Sequence, residues 1–248
     1  MRLALATLAL LVGGALTAAT YWAFLNTPES TVWALVLSAV LAVLALLLLS
    51  MTINAAIAAW SIGFSVAGLR RMLPHVTSIV PAALVMLLFW WLADRVDTWV
   101  ALRTGGINAW FIARFGWDDV SWLFAGVRYF TTWLRWVIGG VLAVSLMAGM
   151  TQVGWRALVV PTWLGRSLRP RTLALATAWF VVLIVLPWVY LVPWRPEWVP
   201  PSGAEMTFII AKLSVAALLV AVGAALMIHE AVRMPMPPLE PKSDQLAA

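Results

Sequence analysis

Cysteine is absent from this 248-residue sequence. That gap excludes disulfides, thiolate nucleophiles and Cys-ligated metal centres. Histidine is nearly absent, with only His75 and His229 present. Both fall at the ends of apolar segments, so a haem held between two histidines at bilayer depth is not expected. Charge is scarce too. Only 10% of residues are charged and 64% are hydrophobic, whereas a soluble domain carries about 25% charged residues. So few polar groups cannot cover a water-facing surface. The mean hydropathy of +0.97 points to lipid as the solvent.

What is there is apolar sequence in long runs. Six segments, near 3–24, 31–52, 76–93, 127–150, 173–193 and 207–228, have the length to cross a bilayer. Each is read as a helix, because a segment in lipid must satisfy its own backbone hydrogen bonds. The expected fold class is all-α: a polytopic membrane helical bundle of about six transmembrane helices with interfacial amphipathic segments. It forms one membrane domain over 1–233, followed by a Pro-rich tail at 234–248. The opening "MRLALATLALLVGGALTAAT" has the basic start, apolar run and small residues of a secretory signal. The run continues through Tyr21, Trp22 and Leu25, so it is read as the first transmembrane helix. "NTPEST", with Glu29, makes a tight turn into the second.

Sidedness follows from Lys and Arg in the loops. With the N-terminus inside, one face holds Arg2, Arg70, Arg71, Arg156, Arg166, Arg169, Arg171, Arg233 and Lys242. The other holds Arg95, Arg103, Arg114, Arg128 and Arg195. The bias places both termini in the cytoplasm, as expected for a bacterial inner-membrane protein. The formal charge of +6 is thereby read as loop bias, and no nucleic-acid partner is expected.

Two basic detours resemble each other. "GLRRMLPHVT" begins at Gly68 and "WLGRSLRPRT" at Trp163. At an offset of 95, Trp60 matches Trp155, Leu69 matches Leu164, Arg71 matches Arg166 and Thr77 matches Thr172. The register suggests a parallel repeat, 31–93 with 127–190. Arg70, Arg71, Arg166, Arg169 and Arg171 are the expected contacts to cytoplasmic lipid phosphates, snorkelling from interfacial segments. The stretch 94–126 is the longest between spans. Charges and Gly105-Gly106 break it, yet it is rich in Trp and Phe, so one or two short helices lying on the outer membrane face are expected.

Two features carry functional weight. Tryptophan occurs 17 times, and by this topology 13 lie toward the outer side. Aromatic belts form at both interfaces, so the skew marks a candidate contact surface at Trp110, Trp117, Trp122, Trp133 and Trp136. The second feature is charge at depth. Arg135 and Lys212 lie inside spans near the outer side, where a bare charge is costly. A cluster with Asp94, Asp97, Asp118 and Asp119 is the expected solution, either structural or holding an anionic head group. These acids lack the His or further acids that a metal needs, so no metal or cofactor is expected. No catalytic constellation is found. The reading is a non-catalytic integral membrane protein, an accessory or scaffold subunit whose partners are other membrane subunits and phospholipids. The alternatives are a permease-type transport subunit, its two basic segments coupling to a soluble ATPase, and a lipid head-group-binding protein.

Overall fold

The computed structural model describes residues 1–28, 30–61, 73–117, 120–159, 162–194 and 203–233. Among them, every regular element is helical. Helix α1 (Arg2–Leu25) turns back into α2 (Val32–Ser61). A 3₁₀ turn (Leu73–Ser78) feeds α3 (Ile79–Phe115). Helix α4 (Ser121–Trp133), a π-turn (Leu134–Ile138) and α5 (Gly139–Val153) run on as one rod, closed by a 3₁₀ turn (Gly154–Leu158). After the short α6 (Thr162–Ser167), α7 (Pro170–Phe180) continues through two π-turns, Val181–Val185 and Pro187–Leu191. The last helix is α8 (Gly203–Val232). Among the described residues, six helical stretches are long and apolar enough to cross a membrane. The fold is an all-α bundle. Met1, Ser61, Ile79, Val153, Pro170 and Val232 define its terminal end, and the opposite end carries the α3–α4 hairpin.

The α4–α5 rod is the axis. Its apolar window is 67% buried, against 11–22% in the other spans. Around it the core is built from small residues: Ala6, Ala56, Ala59, Ala82, Ala143, Ala148 and Ala225 enclose Ile57, Met147 and Ile228. In lipid, apolar side chains gain nothing by leaving solvent, so close backbone approach and dispersion hold helices together. Gly13 shows how close. A Cβ there would lie 2.8 Å from Thr52 Cβ. Gly223 is the counterpart on α8, where a Cβ would meet Leu183 Cβ at 2.9 Å. Trp60 ties three helices together at the terminal end. Its indole donates to Ala225 O at 3.0 Å, its ring lies 4.2 Å from that of His229, and its own carbonyl accepts from Arg2 at 3.2 Å.

One sequence expectation is overturned. Residues 94–115 are not short helices separate from the third span; they continue α3 without a break to Phe115. The stripe Asp97, Val100, Thr104, Ile107, Asn108 and Phe111 is half-buried at helical spacing, and α3 packs along α4 and α5. That packing outweighs the helix-breaking tendency of Gly105-Gly106, about 1 kcal/mol per glycine. The helix stops only at Gly116, whose φ of 67° is left-handed and whose N–H donates to Ile112 O at 2.9 Å. The second, fourth and last spans also run beyond the limits read from hydropathy. For the repeat, residues 68–72 of the first basic segment lie outside the described residues, as do Glu29 and the 234–248 tail.

Candidate functional site

Charge at depth is resolved in two separate ways. Arg135 sits in the π-turn, where the extra residue re-aims a side chain. Its Nη2 donates to Asp97 Oδ2 at 2.6 Å across to α3, and Thr131 Oγ1 donates to Asp97 Oδ1 at 2.9 Å. The guanidinium lies over Trp90, 5.4 Å from the ring centroid. Trp136 meets Trp90 edge-on at 5.5 Å. The guanidinium is thus roofed by indole, held by one carboxylate edge and only 22% exposed. Its Nε is buried and has no acceptor among the described residues. Asp94, one turn before Asp97, is exposed. Asp118 and Asp119 lie outside the described residues.

Lys212 does not join that pair. Its Nζ donates to Val192 O at 2.5 Å and to Trp194 O at 3.1 Å, and it lies 5.6 Å from the Phe208 ring. The acceptors are carbonyls left free where the π-turned end of α7 runs out, and a cation there also meets the negative end of the helix dipole. The expected single cluster is therefore an ion pair on α3 and the α4–α5 rod, and a capping lysine on α8.

The proposed aromatic surface also divides. Trp110, Trp117 and Trp122 gather at the hairpin tip with Phe111 and Phe115. Phe111 stacks on Trp117 at 5.5 Å and 17°, and Trp117 meets Trp122 at 5.8 Å. Trp110 contacts both phenylalanines, at 5.0 and 5.5 Å. Though mutually packed, Trp110, Phe115 and Trp122 remain half-exposed. Trp133 instead packs inside the bundle, its indole donating to Thr177 Oγ1 at 2.8 Å, and Trp136 belongs to the Arg135 site. Along the outward face of α3, Arg95 covers Trp91 and Arg103 covers Trp99, each pair one turn apart.

At the terminal end, Arg169 and Arg171 are exposed. Between the 3₁₀ turn and α7, Trp155, Leu158, Val159, Leu164 and Leu168 are exposed as well, an apolar strip flanked by arginines of the kind that suits a membrane interface. Arg70 and Arg71 lie outside the described residues, as does the Arg166 side chain. Sequence reading missed two polar groupings here. Ser50 donates to Val76 O at 2.7 Å and accepts from Asn54 at 3.4 Å, all within the bundle. Glu230, only 10% exposed, lines a small pocket between α5, α6, α7 and α8. Neither could be found by periodicity alone, because the Ser50–Val76 bond and the Glu230 pocket join residues far apart in the chain.

These helices define the class: a multi-pass integral membrane protein, built as a helical bundle with a charged pair bridging α3 and its central rod. Beyond that class, no protein-family model, curated protein or solved structure matches the chain.

Proposed function

We propose that this protein is an accessory or scaffold subunit of a larger membrane assembly, docking another subunit on the tip of the α3–α4 hairpin. The observation that carries this reading is the position of the aromatic cluster. Helix α3 has 37 residues, which makes it about 55 Å long, while the hydrocarbon slab takes up about 30 Å. Its first charges, Asp94 and Arg95, mark where the slab ends. Trp110, Phe111 and Phe115 lie four or more turns further along α3, and Trp117 and Trp122 pack with them, so on that placement lipid chains do not cover them. A preassembled, half-exposed aromatic surface outside the bilayer is what a protein partner buries. The test is isolation of the tagged chain from its native membrane in mild detergent. The expected result is a fixed-ratio complex with another membrane polypeptide. Trp110→Ser with Trp122→Ser releases that polypeptide, while the isolated variant keeps the wild-type helix content and elutes as a monodisperse species. A wild-type chain that runs alone as a monomer overturns the reading.

A second reading, head-group binding, is favoured by the Arg135 guanidinium, which is 22% exposed and hydrogen-bonded through Nη2 alone among the described residues. One edge of the guanidinium is committed to Asp97, and the remaining donors suit a phosphate or carboxylate oxygen at the lipid interface. Retention of an anionic phospholipid through purification, lost in Arg135→Gln and kept in Lys212→Gln, supports it; equal lipid content in all three proteins rules it out.

A further inference from the structure

We propose that the terminal-end pocket between α5, α6, α7 and α8 holds one small monovalent cation, bound by the Glu230 carboxylate with the hydroxyl oxygens of Ser145 and Ser167.

One carboxylate at this end is largely buried but loosely paired. Glu230 is nine-tenths buried, yet its ion partner Arg233 approaches only to 3.9 Å and is itself half-exposed. That is outside hydrogen-bond range. A carboxylate taken out of water at such a site demands a better counter-charge. The second observation is space. The pocket that Glu230 lines with Ser145, Gln152, Ser167 and Thr172 has a volume of about 20 Å³, room for one water-sized guest.

The third observation is polarity. A serine hydroxyl has one proton to give and two lone pairs. Ser167 gives its proton to Trp163 O at 2.7 Å, and Ser145 directs its own toward Ala231 O at 3.4 Å. The Trp163 indole is spent on Ala157 O at 2.8 Å. Ser145, Ser167 and Glu230 thus offer the pocket oxygen lone pairs, which suit a cation, while the Thr172 hydroxyl and the Gln152 amide complete its lining. Charge count sets the valence. No group of three His, Cys, Asp or Glu forms among the described residues. One carboxylate with neutral oxygens matches a singly charged ion, whereas calcium sites commonly gather several acids.

The test is thermal unfolding of the full chain in detergent, followed by tryptophan fluorescence at constant ionic strength. Sodium or potassium chloride is exchanged stepwise for N-methyl-D-glucamine chloride, whose cation is too large to enter. The expected result is a saturable rise in melting temperature with sodium or potassium; which ion acts at lower concentration identifies the occupant. Glu230→Gln abolishes the rise. Ser167→Ala, which keeps the charge, shifts half-saturation upward by about tenfold. Arg233→Ala shifts it downward by removing a competing cation. Identical melting curves in all three salts overturn the proposal, leaving a trapped water as the occupant. So does a rise that survives both Glu230→Gln and Ser167→Ala. If Glu230→Gln does not fold, the unshifted or shifted response of Ser167→Ala decides.

Discussion

Arg135 and Lys212 are the same problem solved with different chemistry. A guanidinium is a planar fork and finds a carboxylate, Asp97, across the gap to α3. An ammonium is a compact point charge and is satisfied by two backbone carbonyls. The sequence shows the acids but not the carbonyls that a helix end sets free, so an acidic partner for Arg135 was legible, though not which of the four, and the Lys212 cap was not. The two sites should therefore respond independently to mutation. Asp97→Ala strands a largely buried guanidinium, but Asp97 is 35% exposed and water partly screens the loss. A double-mutant cycle with Arg135→Leu, read by unfolding in sodium dodecyl sulfate, should give a coupling energy of about 1 kcal/mol. The same cycle between Asp97→Ala and Lys212→Met should give about zero. A coupling as large as the first would mean that one electrostatic network joins the sites after all.

Helix contacts in this bundle depend on where a side chain is missing. Gly13 and Gly14 are neighbours in sequence and opposites in role: a Cβ on Gly13 drives into Thr52, while one on Gly14 meets nothing within 4 Å. Gly13→Val should cost about 1–3 kcal/mol by overpacking the α1–α2 seam. Gly14→Val should lie within about 0.5 kcal/mol of wild type, and detergent unfolding of the two variants side by side checks the contrast. Small-residue spacing does not choose between them, because it shows that a helix has a flat face without showing which neighbour comes to it. The helices as such were legible, since length and hydropathy alone require them. The continuity of α3 was not. Gly105-Gly106 and the charges at Asp94, Arg95 and Asp97 look like an ending, and only the half-buried stripe against the central rod carries the helix past them.

For the whole molecule, the decisive quantity is how far the hairpin stands from the bilayer. The α3–α4 pair either rises into water or bends back into the head groups, and the proposed docking tip requires the first. The natural lack of cysteine allows a direct measurement, because every introduced thiol is the only one present. Maleimides react with the thiolate, which forms in water and not in hydrocarbon. Ala101, Ala109 and Ala113 are exposed positions on α3 beyond its first charges, and Leu84, Leu87 and Leu88 are exposed positions before them. Single cysteines at the first three should label rapidly with a membrane-impermeant maleimide applied to the hairpin side of sealed vesicles. Cysteines at the leucines should stay unlabelled until detergent is added. Arg156→Cys, at the opposite end of the bundle, should label only from the other side. If Ala109→Cys and Ala113→Cys are as protected as Leu87→Cys, the aromatic tip lies in lipid. The surface proposed for a protein partner is then a membrane anchor, and the scaffold reading loses its main support while the Glu230 pocket, at the far end, is untouched.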